Sequence, residues 1–444
     1  MLRTRGSREK GASCRVSGSY ATTPNTMQLE SILRLVQPAP GFVYAHAELR
    51  RTRRGPSILV TVRPRAGSRA CCGGCGIRRP GYDTLPEREF AFVPLWGMAV
   101  FFLYAMRRVE CRRCGVVTEL VPWGSGKSPT THAYTWFLAS WAKSLSWSET
   151  ARRFGTTWDA VFRAVEHAVT WGLEHRNLDG VRSIGVDELS WKKGQKYLTL
   201  VYQIDHGCRR LLHIARDRTT ASFNSFFDML GDERSKSIAF VASDMWKAFL
   251  NVVRARCDVT LHVLDRFHVM QLMSKALDEI RRTEVRDLRR AGHQVFLTKT
   301  RWLLLKRPKN LTRGERARLR DLLTINLRSV RAYLLKEQFQ HFWTYRSHSA
   351  AERFLRHWTA LAMRSRLAPF KKFATTLRTH KRELLNWFLA RGEFAAGATD
   401  GFNNKARITT RKAYGFRTYE HTRIAMYHAL GALPEPPWLT HRFC

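Results

Sequence analysis

The sequence predicts a multidomain protein that combines α/β and all-α parts. Three observations support this fold class: two Cys-x-x-Cys pairs in the N-terminal third, a series of strand-like runs over residues 179–265, and a long basic helical stretch after them. The chain has 444 residues, which at about 100–200 residues per domain suggests two to four domains. Hydrophobic residues make up 44% of the chain, which is enough to build packed cores and excludes general disorder.

The charge of the chain restricts its partners. Lys and Arg number 76 against 36 Asp and Glu, which gives a formal charge of +40. Such a charge destabilises a compact chain unless a polyanion neutralises it, so nucleic acid or an anionic membrane is indicated. The longest apolar run, residues 90–106, contains Pro94 and Gly97 and is short for a membrane span. It therefore predicts strand-rich core, and we expect no membrane association.

The N-terminal segment and the cysteine count suggest the compartment. Residues 1–26 are predicted to be a flexible basic leader, or else an untranslated stretch, because Met27 opens the first periodic segment. They contain no apolar segment of the kind found in signal peptides. Nine cysteines are too few for a disulfide scaffold, so a reducing cytoplasm is expected. Residues 27–70 carry short β-like runs and predict a small strand-rich module.

Two cysteine pairs predict a zinc ribbon-like module over residues 71–123. The pairs are Cys72 with Cys75 and Cys111 with Cys114. A two-residue spacing directs both thiolates of a pair at one tetrahedral ion, and two pairs complete a closed structural zinc shell. Cys71 is an alternative first ligand. Two unconnected reduced pairs or a redox motif are the other interpretations.

Residues 124–178 predict a helix-turn-helix DNA-binding domain. Ser148 and Thr157 are placed to begin two helices, with Gly155 in the turn between them. The second helix would enter the major groove and bring three side chains near bases or phosphates, namely Thr156, Thr157 and Arg163. An ordinary αα-hairpin is the alternative interpretation.

The strand-like runs carry acids in the order of an RNase H-like core. Three strands, a helix and two more strands are predicted over residues 179–265, with Asp187 inside the first strand and Asp244 at the end of the fourth. Asp400 begins a last helix candidate within residues 396–432. In that fold such acids could hold two divalent ions, and Mg²⁺ (or Mn²⁺) suits an all-oxygen shell. Glu188 is predicted to face the opposite side of the strand.

Basic helices are predicted between and after these acids. Residues 266–395 indicate an all-helical insertion that interrupts the core, one continuous helix is expected from about residue 400 to 430, and residues 433–444 form a tail. Three basic residues follow Asp400 on the last helix and are candidates for phosphate contacts, namely Lys405, Arg407 and Arg411.

Five separate motifs carry a resemblance to a known family. They are the cysteine pairs with the intervening YDTLPEREFAFVPLWGMAVFFLYAMRRVE, then IGVDELSWKKGQKYLTLVYQID, DRFHVMQLMSKALDEIRR, RWLLLKRPKNLT with AAERFLRHWTALAMRSRLAPFKK, and GFNNKARITTRKAYGFR. With these motifs, the chain resembles the bacterial DDE transposases of the ISL-three insertion-sequence family from about residue 27 to about residue 430.

The resemblance implies an activity and a set of site residues. It implies binding of double-stranded DNA at the terminal inverted repeats, metal-dependent strand cleavage and strand transfer, and a homo-oligomer acting at the bacterial nucleoid. The catalytic acids would be Asp187, Asp244 and Asp400, although the family usually has Glu in the third place. The DRFH motif adds Asp265 and His268 as candidates for active-site support. A catalytically decayed DNA-binding regulator is the main alternative, and a nuclease or resolvase without strand transfer is another.

Overall fold

A computed structural model describes residues 28–52, 55–192, 196–257, 260–292, 299–325, 327–390 and 398–439. The side chains of residues 192 and 398–400 are not described. The predicted leader and the last five residues of the predicted tail therefore lie outside the described residues. The chain divides into two compact units between Tyr134 and Thr135.

The first unit is built on one five-stranded sheet. A helix, α1 (Leu29–Val36), precedes strands β1 (Phe42–Thr52), β2 (Gly55–Pro64), β3 (Gly81–Leu95), β4 (Met98–Cys111) and β5 (Gly115–Thr118). The order is β1-β2-β4-β3, with β5 on β4, and only the β2–β4 pairing among these is parallel. The predicted boundary at residue 70 thus falls within one sheet. Helix α1 was not predicted.

An aromatic core holds this sheet together. Trp123 is buried, and its ring makes edge-to-face contacts with Phe42, Phe90 and Tyr104 at centroid distances of 4.8–6.2 Å. The apolar run at residues 90–106 forms most of the β3–β4 hairpin, as predicted. Among the described residues, no helix is long and apolar enough to cross a membrane.

Three helices come next: α2 (His132–Ser144), α3 (Trp147–Arg153) and α4 (Trp158–His175). Ser146 caps α3 and forms a reciprocal capping box with Glu149. Ser148, the predicted starting residue, therefore lies inside the helix, and that prediction is wrong. Thr157 caps α4 as predicted, since its hydroxyl accepts a hydrogen bond from the Ala160 backbone N–H at 3.2 Å.

A second five-stranded sheet forms the centre of the second unit. Its strands are β6 (Ser183–Lys192), β7 (Lys196–Gln203), β8 (Arg210–Arg216), β9 (Phe240–Ser243) and β10 (Leu261–Leu264), and the helices among them are α5 (Thr220–Leu230), α6 (Asp232–Lys236) and α7 (Lys247–Arg256). The order is β10-β9-β6-β7-β8. Strands β6, β7 and β8 run antiparallel, whereas β9 and β10 run parallel to β6. All five predicted strands are present.

The next part of the chain is helical, as predicted. It contains α8 (Arg266–Arg290), α9 (Arg301–Leu305), α10 (Arg313–Leu323), α11 (Arg328–Gln340), α12 (His348–Arg364), α13 (Ala368–Thr379) and α14 (Lys381–Leu389). These helices share a hydrophobic core in which the rings of Phe339 and Trp358 lie 4.7 Å apart. Helix α14 packs against strand β10.

Two helices, and not one, complete the unit: α15 (Ala398–Lys412) and α16 (Tyr419–Leu430). The prediction of a continuous helix is wrong because Tyr414 and Gly415 both take positive φ, +54° and +94°. The N–H of Tyr414 donates to the Arg411 carbonyl and that of Gly415 to the Thr410 carbonyl, both at 2.9 Å. These two bonds form a C-terminal capping motif that ends α15. Helix α15 packs on β6 and α16 on β8.

Candidate functional site

Asp187 and Asp244 come together because their strands are parallel neighbours. Gly185 of β6 pairs with Ala242 of β9. Asp187 lies two residues after Gly185, and Asp244 lies two residues after Ala242. Residues at equal positions on adjacent parallel strands project from the same face. The two acids therefore lie side by side at the carboxyl end of β9.

Asp187 is a buried carboxylate held from two directions. Asp187 is only 5% exposed, and one of its carboxylate oxygens accepts a hydrogen bond from the Glu188 backbone N–H at 2.6 Å. The other oxygen accepts a hydrogen bond from the side-chain amide of Asn403 on α15. Burial raises the pKa of Asp187 to about 6, against the opposing effect of the nearby His268 charge. The negative charge of ionised Asp187 is therefore not fully compensated by the surrounding protein groups.

Asp244 occupies the turn between β9 and α7. Its Oδ1 accepts the Trp246 backbone N–H at 2.9 Å. Burial is the largest influence on Asp244 and raises the pKa of this carboxyl as well. Two adjacent carboxylates are therefore both destabilised as anions by burial.

Arg218 lies near Asp244, and its charge lowers the pKa of that carboxyl, against the effect of burial. Its guanidinium lies 4.5 Å from the Trp246 ring centroid and 4.4 Å from that of Tyr197. It also pairs with Glu188 at 3.1 Å. Ile184 and Val186, at alternate positions to Asp187, join the core on the α5–α7 side, so alternation carries Glu188 to that face and not to the face of Asp187.

The structure places Asp265 and His268 beside these acids. The Asp265 N–H donates to the Ser243 carbonyl at 2.9 Å, which sets Asp265 next to Asp244, and its side chain caps α8. His268 lies between two carboxylates, with Nδ1 3.6 Å from Asp265 and Nε2 3.9 Å from Asp187. Burial alone would lower the pKa of His268, but Asp265, Asp187 and Asp244 together raise it to about 9.

Helix α15 brings Asn403 to the site, a residue to which the sequence reasoning gave no role at the site. The Tyr202 hydroxyl donates to Asn403 Oδ1 at 3.3 Å, and the Tyr202 ring stacks on Phe402 at 4.5 Å. Asp400 lies in the first turn of α15, one turn before Asn403, and its side chain is outside the described part. The three-residue spacing from Asp400 was the sequence signal that could have identified Asn403.

The donor set suits a hard divalent cation. Asp187 and Asp244 offer carboxylate oxygens whose negative charge is poorly compensated. Mg²⁺ is usually held by one or two carboxylates together with water and phosphate oxygens. Two carboxylates on adjacent strands could hold such an ion.

The predicted DNA-contacting residues lie on two helices. Thr157 is exposed at the start of α4, Thr156 is half-buried before it, and Arg163 is exposed six residues after Thr157. On α15 three basic side chains are exposed, namely Lys405, Arg407 and Arg411. Apart from Thr156, these side chains are therefore exposed and accessible to a polyanion such as DNA.

The four cysteines of the first unit converge on one point. The Sγ atoms of Cys72, Cys75, Cys111 and Cys114 all lie within 4.8 Å of one another, and the Cys75–Cys111 Sγ separation is 3.7 Å. A zinc ion with Zn–S bonds of about 2.3 Å sets its sulfurs about 3.8 Å apart. Cys71, the alternative ligand, is not in this group. The cluster could therefore hold a zinc ion.

Backbone N–H groups stabilise the thiolates of two of the four cysteines, whereas burial raises the pKa of Cys114 to about 12. The backbone N–H of Arg113 is the largest influence on Cys111 and lowers the pKa of its thiol to about 6. The pKa of Cys72 is also lowered, first by the backbone N–H of Cys75. A Cβ at Gly73 would lie 2.5 Å from the Thr118 carbonyl oxygen, so only glycine fits this knuckle turn.

Comparisons with known proteins identify the family of the chain. A transposase family model, that of the ISL-three DDE proteins, matches residues 184–426. The transposase for insertion sequence element IS1557 of Mycobacterium tuberculosis is 30% identical over 411 residues, which cover 86% of this chain and 91% of the relative. The transposase for insertion sequence element IS1001 of Bordetella parapertussis is 25% identical over 371 residues, which cover 83% of this chain and 90% of the relative. The resemblance drawn from the sequence motifs is thereby confirmed, and the chain belongs to the ISL-three family of insertion-sequence transposases.

Proposed function

We propose that this transposase cleaves DNA at the ends of its own insertion sequence and joins the resulting 3′-hydroxyl ends to target DNA, in a reaction that depends on Mg²⁺ or Mn²⁺. The observation that carries the proposal is the meeting of Asp187 and Asp244 at adjacent parallel strands, with α15 hydrogen-bonded to Asp187 through Asn403. Asp400 is the proposed third acid because it lies one turn before Asn403.

The sheet order supports an RNase H-like catalytic core. Three antiparallel strands, β6 to β8, are extended on the other side of β6 by two parallel strands, β9 and β10. A helix from much later in the chain, α15, packs on the central strand β6. This arrangement supplies acids from two neighbouring strands and one helix, as a two-metal phosphodiester site requires.

The protein's own residues would orient the reacting groups. A divalent cation bound by the acids would lower the pKa of an attacking water or 3′-hydroxyl and stabilise the leaving oxygen. Asn403 and the Glu188 N–H fix the two oxygens of Asp187, so that the carboxylate keeps one orientation. The raised pKa of His268 favours a positive charge between Asp187 and Asp265, and this charge would attract an incoming phosphodiester.

DNA would be bound by several parts of the chain. The capped pair α3–α4 has the order of a helix-turn-helix, and Thr156, Thr157 and Arg163 are its proposed contacts. Lys405, Arg407 and Arg411 are proposed to contact phosphates close to the acids, because they follow Asn403 on the same helix. Since two element ends must be cut and joined, we propose that a homo-oligomer assembles on the DNA.

Strand cleavage and joining on labelled duplexes that carry the element's terminal repeats test the proposal. Wild-type protein with Mg²⁺ is compared with Asp187→Asn, Asp400→Ala and Asp400→Glu, and Asp232→Asn, an exposed acid on α6, is the matched control. We expect Asp187→Asn and Asp400→Ala to bind the repeats without cutting, while Asp400→Glu and Asp232→Asn remain active. Binding by the wild type without cleavage, in Mg²⁺ or Mn²⁺, would overturn the proposal in favour of a DNA-binding regulator.

A further inference from the structure

A large open groove lies between the helix pair α2–α3 and the last two helices. Its volume is about 1320 Å³, and its walls come from the end of α2, helix α3, the start of α4, and the α15–α16 connection. Ligand pockets for small molecules are usually about 300–1,000 Å³, so this space has room for more than one nucleotide. The function proposed above gives no role to this groove.

The groove is lined by aromatic rings that differ in exposure. Trp147 is buried, Trp158, Trp191 and Phe416 are half-buried, and Tyr414 is fully exposed. Trp147 lies 5.4 Å from both Trp158 and Phe416 by ring centroids. Trp158 is also stacked on Phe162, so these inner rings pack on one another, and the exposed Tyr414 ring is the one that offers an open face for stacking on a nucleobase.

Basic side chains accompany these rings. Lys143, Arg152, Lys412 and Arg417 line the groove, against two acids, Glu149 and Asp159. Lys143 is paired with Glu435 at 2.6 Å, and the Lys412 ammonium donates to the Lys143 carbonyl at 3.0 Å, so Arg152 is the exposed cation of the groove on α3. Glu149 is engaged in the capping box of α3, where it accepts bonds from the backbone N–H and hydroxyl of Ser146. The charge of the groove is therefore complementary to a phosphate-linked ligand.

Tyr414 is held in an unfavourable backbone conformation without any compensating burial. It occupies the left-handed position of the α15 capping motif, where glycine is the usual residue, and a bulky side chain is strained there. Its side chain is 100% exposed, so no packing within the chain offsets this strain. Strained residues of this kind concentrate at functional sites. The exposed ring at the groove edge is thus available to a ligand.

The groove lies close to the candidate active site along one rigid helix. Asn403, which contacts Asp187, and Lys412, which lines the groove, are nine positions apart on α15. At 1.5 Å per residue this is about 13 Å along the helix. Stacked DNA rises about 3.4 Å per nucleotide, so the distance corresponds to about four nucleotides.

We propose that this groove binds a nucleotide that leaves the base stack near the cleaved end of the element, with Tyr414 stacking on its base and basic side chains of the groove, Arg152 among them, contacting its phosphates. This inference rests on the proposed DNA-cleaving function and adds to it a specific contact with the end of the strand. The ligand is an unstacked deoxynucleotide of the bound DNA.

Photo-cross-linking tests the proposal directly. Thymines near each element end are replaced one at a time by 5-iododeoxyuridine, which cross-links to aromatic side chains stacked on it when it is irradiated. We expect cross-linking at one or two neighbouring positions, in the tryptic peptide that covers residues 413–417. At protein concentrations that saturate the repeat, Tyr414→Ala should reduce this product by about tenfold, and Tyr414→Phe should retain it.

The controls separate this inference from the proposed function. Trp302→Ala removes an exposed aromatic residue on α9, outside the groove, and should leave the cross-link unchanged. A wild type that binds and cuts the repeat without cross-linking to residues 413–417 would overturn the groove proposal alone, as would a cross-link that persists in Tyr414→Ala. Cross-linking without Mg²⁺-dependent cutting would support the groove and overturn the catalytic proposal. No binding of the repeat would overturn both.

Discussion

The side-chain amide of Asn403 donates a hydrogen bond to the Asp187 carboxylate, although 216 positions separate the two residues in the sequence. The other end of the same amide accepts the Tyr202 hydroxyl at 3.3 Å. Asn403 therefore joins helix α15 to two strands of the second sheet at once. Because a buried amide with both ends engaged has little freedom, it fixes the orientation of Asp187 and the position of α15.

Asn403→Ala should reduce metal-dependent cleavage by about 10–100-fold, the usual range for residues that orient a metal ligand. The reason is that Asp187 loses the partner that fixes one of its oxygens. Cleavage measured over a range of Mg²⁺ concentrations checks this, and we expect the half-saturating concentration to rise. Asn404→Ala, at the exposed neighbouring position, is the matched control. Wild-type Mg²⁺ dependence in Asn403→Ala would contradict a positioning role.

Purified protein should contain about one zinc ion per chain, because the four cysteines match one tetrahedral shell. Cys111→Ser should remove the ion and lower the melting temperature, since metal binding contributes directly to folding at such sites. Elemental analysis and thermal unfolding measure both effects. Cys71→Ser is the control, because Cys71 is outside the cluster. Loss of zinc in Cys71→Ser with retention in Cys111→Ser would show that the ligand set is wrong.

Local patterns were sufficient to predict much of the second unit. The strands β6 to β10 follow from apolar runs bounded by polar turns, and the capping role of Thr157 follows from its place before a periodic segment. Four cysteines in matched pairs made the cluster predictable as well. Each strand, the cap and each cysteine pair is indicated by a few neighbouring residues.

The sequence did not predict features that depend on contacts between distant residues or on the local backbone conformation at helix ends. The role of Asn403 depends on a contact across 216 positions, and a single sequence contains no signal for it beyond spacing. The break at Tyr414 was missed because a tyrosine, and not a glycine, occupies the left-handed capping position, and Gly415 stands one residue later. Ser146 and Ser148 are both good caps, and the reciprocal bond with Glu149 decides between them only in the folded chain.

Tyr414→Gly should increase the free energy of unfolding by about 1 kcal/mol, because glycine adopts the left-handed conformation without the steric cost of a side chain. The substitution removes no buried contact, since Tyr414 is fully exposed. Urea unfolding measures the effect, and Tyr414→Phe should leave the stability unchanged. If the groove contacts DNA as proposed, Tyr414→Gly should at the same time reduce cleavage of terminal repeats. A less stable Tyr414→Gly protein would show that the tyrosine contributes to packing.

The stability of the second unit should fall on acidification, in part through His213. This residue lies in β8 and shares a hydrogen bond of 2.9 Å with the Ser225 hydroxyl. Burial, together with the smaller effect of the charges of Arg176 and Arg423, lowers the pKa of His213 to about 4. As the pH falls below about 6.5, the unfolded chain binds a proton that the folded chain does not accept until about pH 4. The stability that neutral His213 contributes is therefore fully present above about pH 6.5 and is lost as the pH falls from about 6.5 to about 4.

His213→Gln should lose less stability than the wild type between pH 7 and pH 5, by about 2 kcal/mol, because glutamine does not titrate and can still bond to Ser225. Part of the acid sensitivity should remain, since burial also lowers the pKa of His262 to about 4 and that of His428 to about 3. Urea unfolding at the two pH values measures the difference. His357→Gln, at an exposed position on α12, should behave like the wild type. An equal loss of stability in His213→Gln and in the wild type would mean that His213 is already protonated in the folded protein at pH 5.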